Sequence, residues 1–238
     1  KDKIFKAILT KDVDQNILLP NPCGEIGLHN SELCNLSELF PTNHETLEDF
    51  LATIKVAYLY AKIVTLVPTH NEATNAVIMA NRRIGLSMAG VAQMYVEKGL
   101  QECIRWWDTG YKYVNDLDKA YSGWMGIPRS IKKTTLKPGG TVPLLVGVEG
   151  GMRFPESRFY VRTIRMDHQS PLVATLRDAG YRVEPDRVVP RTVVAYFPIA
   201  LPESTRVDRD VSLWEKAALF TAIQAYWSDN LVSATLTF

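Results

Sequence analysis

Asn21-Pro22-Cys23-Gly24-Glu25-Ile26, followed five residues later by Glu32-Leu33-Cys34-Asn35-Leu36-Ser37, is the stretch on which the reading of this chain turns. Pro20, Pro22 and Gly24 rule out helix and leave an ordered loop. The run sets an amide, a thiol and a carboxylate at alternate positions, and in an extended loop a period of two points Asn21, Cys23 and Glu25 toward one side. A thiol serves as nucleophile or hydrogen-atom donor, a carboxylate as general base, and an amide binds a hydroxyl through its oxygen or its NH2. Together they suit chemistry on a diol. On residue types alone the triplet also fits a proline-rich turn around a buried cysteine, because unpaired cysteine is among the most buried residue types.

Outward from this loop, helical and strand-like patterns alternate. Residues 44–67 carry Leu47, Phe50, Leu51, Ile54, Ala57, Tyr58, Ala61 and Val64 at helical spacing, with Thr42 to Glu45 as a capping box and Pro68 as the stop. A second helix is expected over roughly 71–79, then a buried strand and close backbone packing in Asn81-Arg82-Arg83-Ile84-Gly85-Leu86-Ser87-Met88-Ala89-Gly90. Helix resumes over about 91–121 with a break near Gly99, and residues 134–151, rich in glycine, read as a strand feeding shaped loops. Strands follow at 159–166 and 193–199, with a short helix at 171–180 between them, then a helix at 213–227 and a last strand at 231–238. The alternation predicts an α/β architecture with helices covering the strands.

The loop Lys137-Pro138-Gly139-Gly140-Thr141 has its own physical reading. Adjacent glycines let a backbone approach a ligand, their N–H groups form an anion nest, and Thr141 adds a hydroxyl, which suits a phosphate. A tight turn between strands is the alternative, since Pro-Gly is common turn chemistry. Arg82 and Arg83 are adjacent, so on a strand at most one faces a given site, and at least one is expected in a structural ion pair. Cys103 lies on a helical stretch and is read as core. His29, His44, His70 and His168 show no metal-ligand spacing, and Trp214, Tyr226 and Trp227 are read as a helix face against the core.

Composition narrows the class. With 238 residues, 46% hydrophobic and 22% charged, the chain resembles ordinary globular sequences. A net charge of +1 gives no bulk reason to expect nucleic-acid or membrane binding, so an anionic ligand has to be held locally. No apolar run approaches the ~20 residues that span a bilayer and no signal segment is evident, so a cytoplasmic address is expected. The three cysteines fit neither a disulfide framework nor a CxxC metal site, and matter, if at all, as thiols. A start at Lys1 without methionine and an end at Phe238 inside an apolar run read as an excerpt from a longer protein.

The run 21–26 with the Glu32-Leu33-Cys34-Asn35-Leu36-Ser37 segment resembles the finger-loop signature of ribonucleotide reductases, in its cobalamin-dependent (class II) wording. The resemblance continues through Asn81-Arg82-Arg83-Ile84-Gly85, Lys137-Pro138-Gly139-Gly140-Thr141-Val142, Gly147-Val148-Glu149-Gly150-Gly151, Phe159-Tyr160-Val161-Arg162 and Trp227-Ser228-Asp229-Asn230-Leu231-Val232-Ser233. It implies a ten-stranded α/β barrel with a central finger loop, of which residues 1–238 supply the C-terminal part, roughly the second half; the finger loop covers about 17–36 and the phosphate-binding loop about 134–151. It implies Cys23 as the thiyl radical, Asn21 as the hydroxyl-binding amide, Glu25 as the base for the ribose 3′-hydroxyl, and Cys34 as one of two reducing thiols, its partner lying upstream. It also implies adenosylcobalamin as cofactor, a ribonucleoside triphosphate as substrate, a thioredoxin-type reductant, and a dNTP effector bound mostly outside this chain. The alternatives are the large subunit of a class I ribonucleoside-diphosphate reductase and a non-catalytic nucleotide-binding module.

Overall fold

The computed structural model describes residue 14 and residues 16–235. Its packing divides the chain into two compact units, Lys1–Phe154 with Asp210–Phe238, and Pro155–Arg209. The expected strand at 231–238 falls partly outside the described residues.

In the larger unit, β1 (Leu19–Pro20) and β2 (Gly27–Leu28) pair antiparallel, and the loop between them carries Cys23 and Glu25. Next come β3 (Leu36–Leu39), α1 (Leu47–Val64), α2 (Glu72–Asn81), β4 (Gly85–Met88) and α3 (Val91–Met125). β3 and β4 are parallel, and parallel bridges from Leu86 to Thr134 and from Leu136 to Val232 extend the order to two further segments. Every residue of β4 is buried, as expected of a strand covered on both faces. The sequence thus reads correctly as helices alternating with buried strands.

α1 starts four residues later than the capping box at Thr42 would place it. Pro41–Asn43 forms a 3-10 turn, so Thr42 lies inside a turn, and the extended Thr46 caps instead, its hydroxyl accepting from the Asp49 N–H at 3.2 Å. Within α3 the helix breaks at Gly99, whose φ of 75° suits glycine. Beyond Leu136 the chain enters the glycine-rich loops and a single turn, α4 (Val142–Leu145). α6 (Leu213–Tyr226, numbered after the one helix of the smaller unit) buries Leu219, Ala222 and Ile223. Trp227 is buried, but Trp214 is 82% exposed and Tyr226 38% exposed, which corrects the expectation of a shared core face.

The smaller unit holds β5 (Phe159–Asp167), α5 (Pro171–Asp178), β6 (Arg182–Pro185) and β7 (Thr192–Ala200). Its sheet is antiparallel in the order β5-β7-β6. The pattern of the sequence locates β5, α5 and β7, but β6, four polar-interrupted residues, carries no such signal.

A buried ion pair ties α1 to α3. The Asp118 carboxylate accepts from Lys62 Nζ at 2.8 Å, Tyr58 Oη at 2.9 Å, the Ser130 N–H at 3.2 Å and Arg129 Nε at 3.1 Å. Burial raises the Asp118 pKa, but Lys62 and the converging donors outweigh it and hold the carboxyl below its usual range. A depressed folded-state pKa contributes stability that is present above the unfolded value and is lost as pH falls through the folded one. Asp118→Asn, which leaves Lys62 buried without a counter-charge, is expected to cost about 3–5 kcal/mol at neutral pH in urea unfolding, with the gap to wild type closing in strong acid.

Candidate active site

The loop between β1 and β2 is closed by its own backbone. The Gly24 N–H donates to the Asn21 carbonyl at 2.9 Å, forming a β-turn with Pro22 at its second position, and the Asn21 N–H donates to the Ile26 carbonyl at 2.8 Å. Asn21 Oδ1 accepts from the Ile26 N–H at 3.0 Å, so the side chain braces the same turn. The loop is therefore not extended, and strand-like alternation is not what orients its side chains. The turn lifts Cys23 to the exposed tip while Glu25 and Ile26 sink to 1% exposure.

Main-chain contacts fasten the buried half of the loop across the strands. The Glu25 carbonyl accepts from the Leu231 N–H at 2.9 Å and from Thr135 Oγ1 at 3.0 Å. Gly85 makes room for it, since a Cβ there would meet Ile26 Cδ1 at 2.8 Å and Leu36 Cδ2 at 2.6 Å. Trp227 Nε1 donates to the Thr135 carbonyl at 3.0 Å, and Asn230 Nδ2 donates to the Thr134 and Ile84 carbonyls. Asp229 Oδ1 accepts from the Lys133 and Thr134 N–H groups at 2.8 and 2.9 Å. The Trp227–Asn230 run is thus a set of donors and acceptors that holds the strand on which the loop rests.

Cys34 is where the loop's chemical groups converge. Asn21 Nδ2 donates to its sulfur at 3.7 Å. Burial pushes the Cys34 thiol up to about 11, the charge of Glu25 and then Cys23 adding to the rise, while the Asn21 hydrogen bond and the Arg83 guanidinium oppose it. Glu25 Oε2 is buried and has no hydrogen-bond partner among the described residues. Asn21, Cys23, Glu25 and Cys34 therefore form one cluster. Cys103 lies apart from it, fully buried in the core, its thiol pushed up to about 12 chiefly by that burial.

The Lys137–Thr141 loop begins two residues beyond Thr135, roughly 7 Å along the strand from the anchor of Glu25. The Lys137 N–H donates to Ser87 Oγ at 2.9 Å, and Lys137 Nζ pairs with Glu38 at 3.2 Å. The loop packs against Gly150, where a Cβ would lie 2.0 Å from the Gly139 carbonyl oxygen, and Gly139 itself has φ 56°, while a Cβ on Gly140 would meet nothing within 4 Å. The N–H groups of Gly139, Gly140 and Thr141 have no acceptor among the described residues. Sequence reasoning missed Glu38 as the partner of Lys137, since nothing in a strand residue's spacing marks its contact.

Neither Arg82 nor Arg83 lies on a strand, so the alternation argument does not apply to them. Arg82 caps α2 in the left-handed region and donates to the Thr65 carbonyl. Arg83 forms the expected structural ion pair, with two carboxylates, Asp14 at 2.8 Å and Glu32 at 3.0 Å.

No family model matches the chain. An adenosylcobalamin-dependent ribonucleoside-triphosphate reductase of Euglena gracilis is 46% identical over 226 residues, 94% of this chain and 31% of the relative. One from Lactobacillus gasseri is 38% identical over 259 residues, 95% of this chain and 34% of the relative. A crystal structure of a B12-dependent class II ribonucleotide reductase superposes with a TM-score of 0.83 at 34% identity, over 95% of this chain and 36% of that one. The fold is that of the ribonucleotide reductase barrel, over part of its length. The Actinobacillus ureae class Id ribonucleotide reductase alpha subunit, at 14% identity and a TM-score of 0.61, shares the fold alone. The chain spans about a third of the length of the curated reductases that it matches.

Exposure and charge order the thiols of this chain. Iodoacetamide at pH 8 is expected to label Cys23 first, Cys34 several-fold more slowly and Cys103 last, as followed by peptide mass spectrometry. Glu25→Gln, by removing the charge that disfavours the Cys34 thiolate, is expected to speed labelling of Cys34 at pH 9. Unchanged labelling would mean that Glu25 and Cys34 are not electrostatically coupled.

Proposed function

We propose that the chain is the finger-loop portion of a ribonucleotide reductase that converts ribonucleoside triphosphates to 2′-deoxyribonucleotides with adenosylcobalamin. The observation that carries this reading is Glu25 Oε2, buried beside Cys34 and without a hydrogen-bond partner among the described residues. Leaving a buried carboxylate oxygen unpaired costs on the order of 1–3 kcal/mol or more, and a hydroxyl donor brought by a substrate removes that cost. The neighbouring amide, thiols and anion loop fit the rest of a nucleotide.

The residues present suit the cofactor named for the relatives. Cys23 is exposed on a turn with no hydrogen-bond partner among the described residues, so a bulky group can reach its sulfur without displacing protein. Cys23 is the residue of this chain that would face adenosylcobalamin, which when bound supplies the one-electron chemistry that oxidises a thiol.

The roles are those that the resemblance implies for these residues. Cys23 as a thiyl takes the 3′-hydrogen of the ribose and returns it to C3′ after the reduction, which restores the thiyl, and Glu25 accepts the 3′-hydroxyl proton and gives it back. Asn21 already spends its oxygen on Ile26 N–H, which leaves its NH2 group to reach toward the Cys34 side of the cluster. The 2′-hydroxyl leaves as water, and Cys34 with a second thiol supplies two electrons and two protons and ends as a disulfide. The nest at Gly139, Gly140 and Thr141, roughly 7 Å along the strand from the Glu25 anchor, suits the phosphate end of the same substrate. A thioredoxin-type reductant would then restore the thiols, and a dNTP effector would act from outside this segment.

The test is an anaerobic assay of the full-length parent protein with a dithiol and CTP or CDP, measuring deoxynucleotide with and without adenosylcobalamin. Product is expected only with the cofactor and only from the intact Cys23 protein, with Cys23→Ser and Cys34→Ser reducing turnover by at least 10³-fold, the order of loss seen when a covalent catalytic group is removed. The 238-residue segment alone is expected to give none. Activity without cofactor but with a radical-supplying partner subunit would move the assignment to class I, and an unchanged Cys23→Ser protein would point to a nucleotide-binding module.

A further inference from the structure

We infer that Arg83 is a positioning residue that sets Cys34 against the finger loop, an inference that rests on the reductase reading above. The guanidinium stands just before β4 and pairs with two carboxylates that flank the loop in sequence. Asp14 precedes β1, and Glu32 follows β2 by four residues and precedes Cys34 by two. All three side chains are buried. One cation thus fastens the chain entering the loop and the chain leaving it to the same point on the barrel.

The surrounding bonds make the clamp specific. Glu32 Oε1 also accepts from Asn81 Nδ2 at 2.9 Å, and Glu32 Oε2 accepts from the His29 N–H at 2.8 Å. The same Asn81 amide donates to His29 Nδ1 at 3.1 Å, which leaves Nε2 as the nitrogen that carries hydrogen toward Asp14. Arg83 is the cation that bridges the two carboxylates. Downstream, Asn35 passes the register directly to β4, its carbonyl accepting from the Gly85 N–H at 2.8 Å. Cys34 is held between these two anchors, with Glu32 on one side and Asn35 on the other.

Arg83 also lines, with Cys34, Glu32, Val64 and Ile78, a cleft of about 480 Å³. Cys34 lines the same cleft. The chain around it is anchored at Glu32 and Asn35, and its sulfur accepts the Asn21 Nδ2 hydrogen bond at 3.7 Å, so the thiol keeps its contact with the loop while the flanking chain carries the anchoring. A lysine in place of Arg83 keeps the charge but presents a point cation where two carboxylates approach different nitrogens of a planar fork.

The experiment uses the full-length parent enzyme with adenosylcobalamin and compares wild type with Arg83→Lys, Arg83→Met and Glu32→Gln, each checked for folding by circular dichroism. Arg83→Lys is expected to lower kcat about 10-fold or more while KM for the nucleotide stays within about 2-fold, and Glu32→Gln, which keeps the Arg83–Asp14 pair, to do the same to a smaller degree. Cys34 labelling in Arg83→Met is expected to shift to higher pH, because the cation opposing Glu25 and Cys23 at that thiol is gone; labelling of Cys23 is expected to stay as in wild type. Folded Arg83→Lys and Glu32→Gln enzymes with wild-type kcat, or equal losses in kcat and in nucleotide affinity, would overturn the positioning role. If Arg83→Met does not fold, Arg83→Lys and Glu32→Gln decide by the same criterion. Wild-type enzyme that makes no deoxynucleotide would sink the reductase reading itself, whereas active wild type with unaffected variants sinks only this inference.

Discussion

The carbonyl of Glu25 accepts from the Leu231 N–H and from Thr135 Oγ1, so the residue whose carboxylate oxygen Oε2 has no hydrogen-bond partner among the described residues is anchored through its main chain. This division of labour constrains much of the rest. With that oxygen taking no part in anchoring the loop, the anchoring falls to backbone groups and to residues on the strands beneath. Thr135 is fixed in turn by Trp227, and Thr134 by Asp229 and Asn230. Gly85 contributes by lacking a side chain, since any Cβ would collide with Ile26 and lift the loop off its support.

Much of this was legible in the sequence, and the reasons differ by residue. The period of apolar residues marks α1 because burial of one helical face has a pattern of its own, whereas α6 is apolar nearly all round, buries Lys216 and exposes Trp214, so its apolar content rather than its period marks it. The cluster of Asn21, Cys23, Glu25 and Cys34 was legible through resemblance, and its geometry was not: alternation suggested an extended loop, whereas the Pro22 turn sends Cys23 outward and Glu25 inward. The chemistry types at these positions single out the candidate site, and a single turn bond decides how it is arranged. Thr42 misled for a related reason, because a capping motif has meaning only where the preceding backbone is extended, and Pro41 makes it a turn.

Long-range pairing is what sequence spacing hides. Asp14, Glu32 and Arg83 are scattered among ordinary charged residues, and their burial alone shows that they belong together. The same holds for Lys62 with Asp118 and for Lys137 with Glu38. Such pairs survive in a poorly solvating interior only when matched by opposite charge and hydrogen bonds, so each buried lysine or arginine identifies a place where two distant segments are required to meet. Arg83 is the case with most consequence, because both of its partners flank the loop that carries the reactive groups.

The glycine-rich segments illustrate how one residue type answers two demands. Gly139 and Gly150 are in backbone-to-backbone contact, and Gly151, at φ 52°, brings its backbone against the Lys137 carbonyl. Such contacts leave the loop little freedom, which is what an anion nest needs: N–H groups already oriented lose no conformational entropy when a phosphate arrives. Packing of the two loops and preparation of the Gly139–Thr141 N–H groups are then one physical requirement rather than two. Lys137 adds charge at the same place, but Glu38 holds it, and a phosphate would have to share that ammonium with a buried carboxylate whose own pKa burial has raised. In the proposed phosphate site the backbone donors, which have no acceptor among the described residues, would be the stronger part.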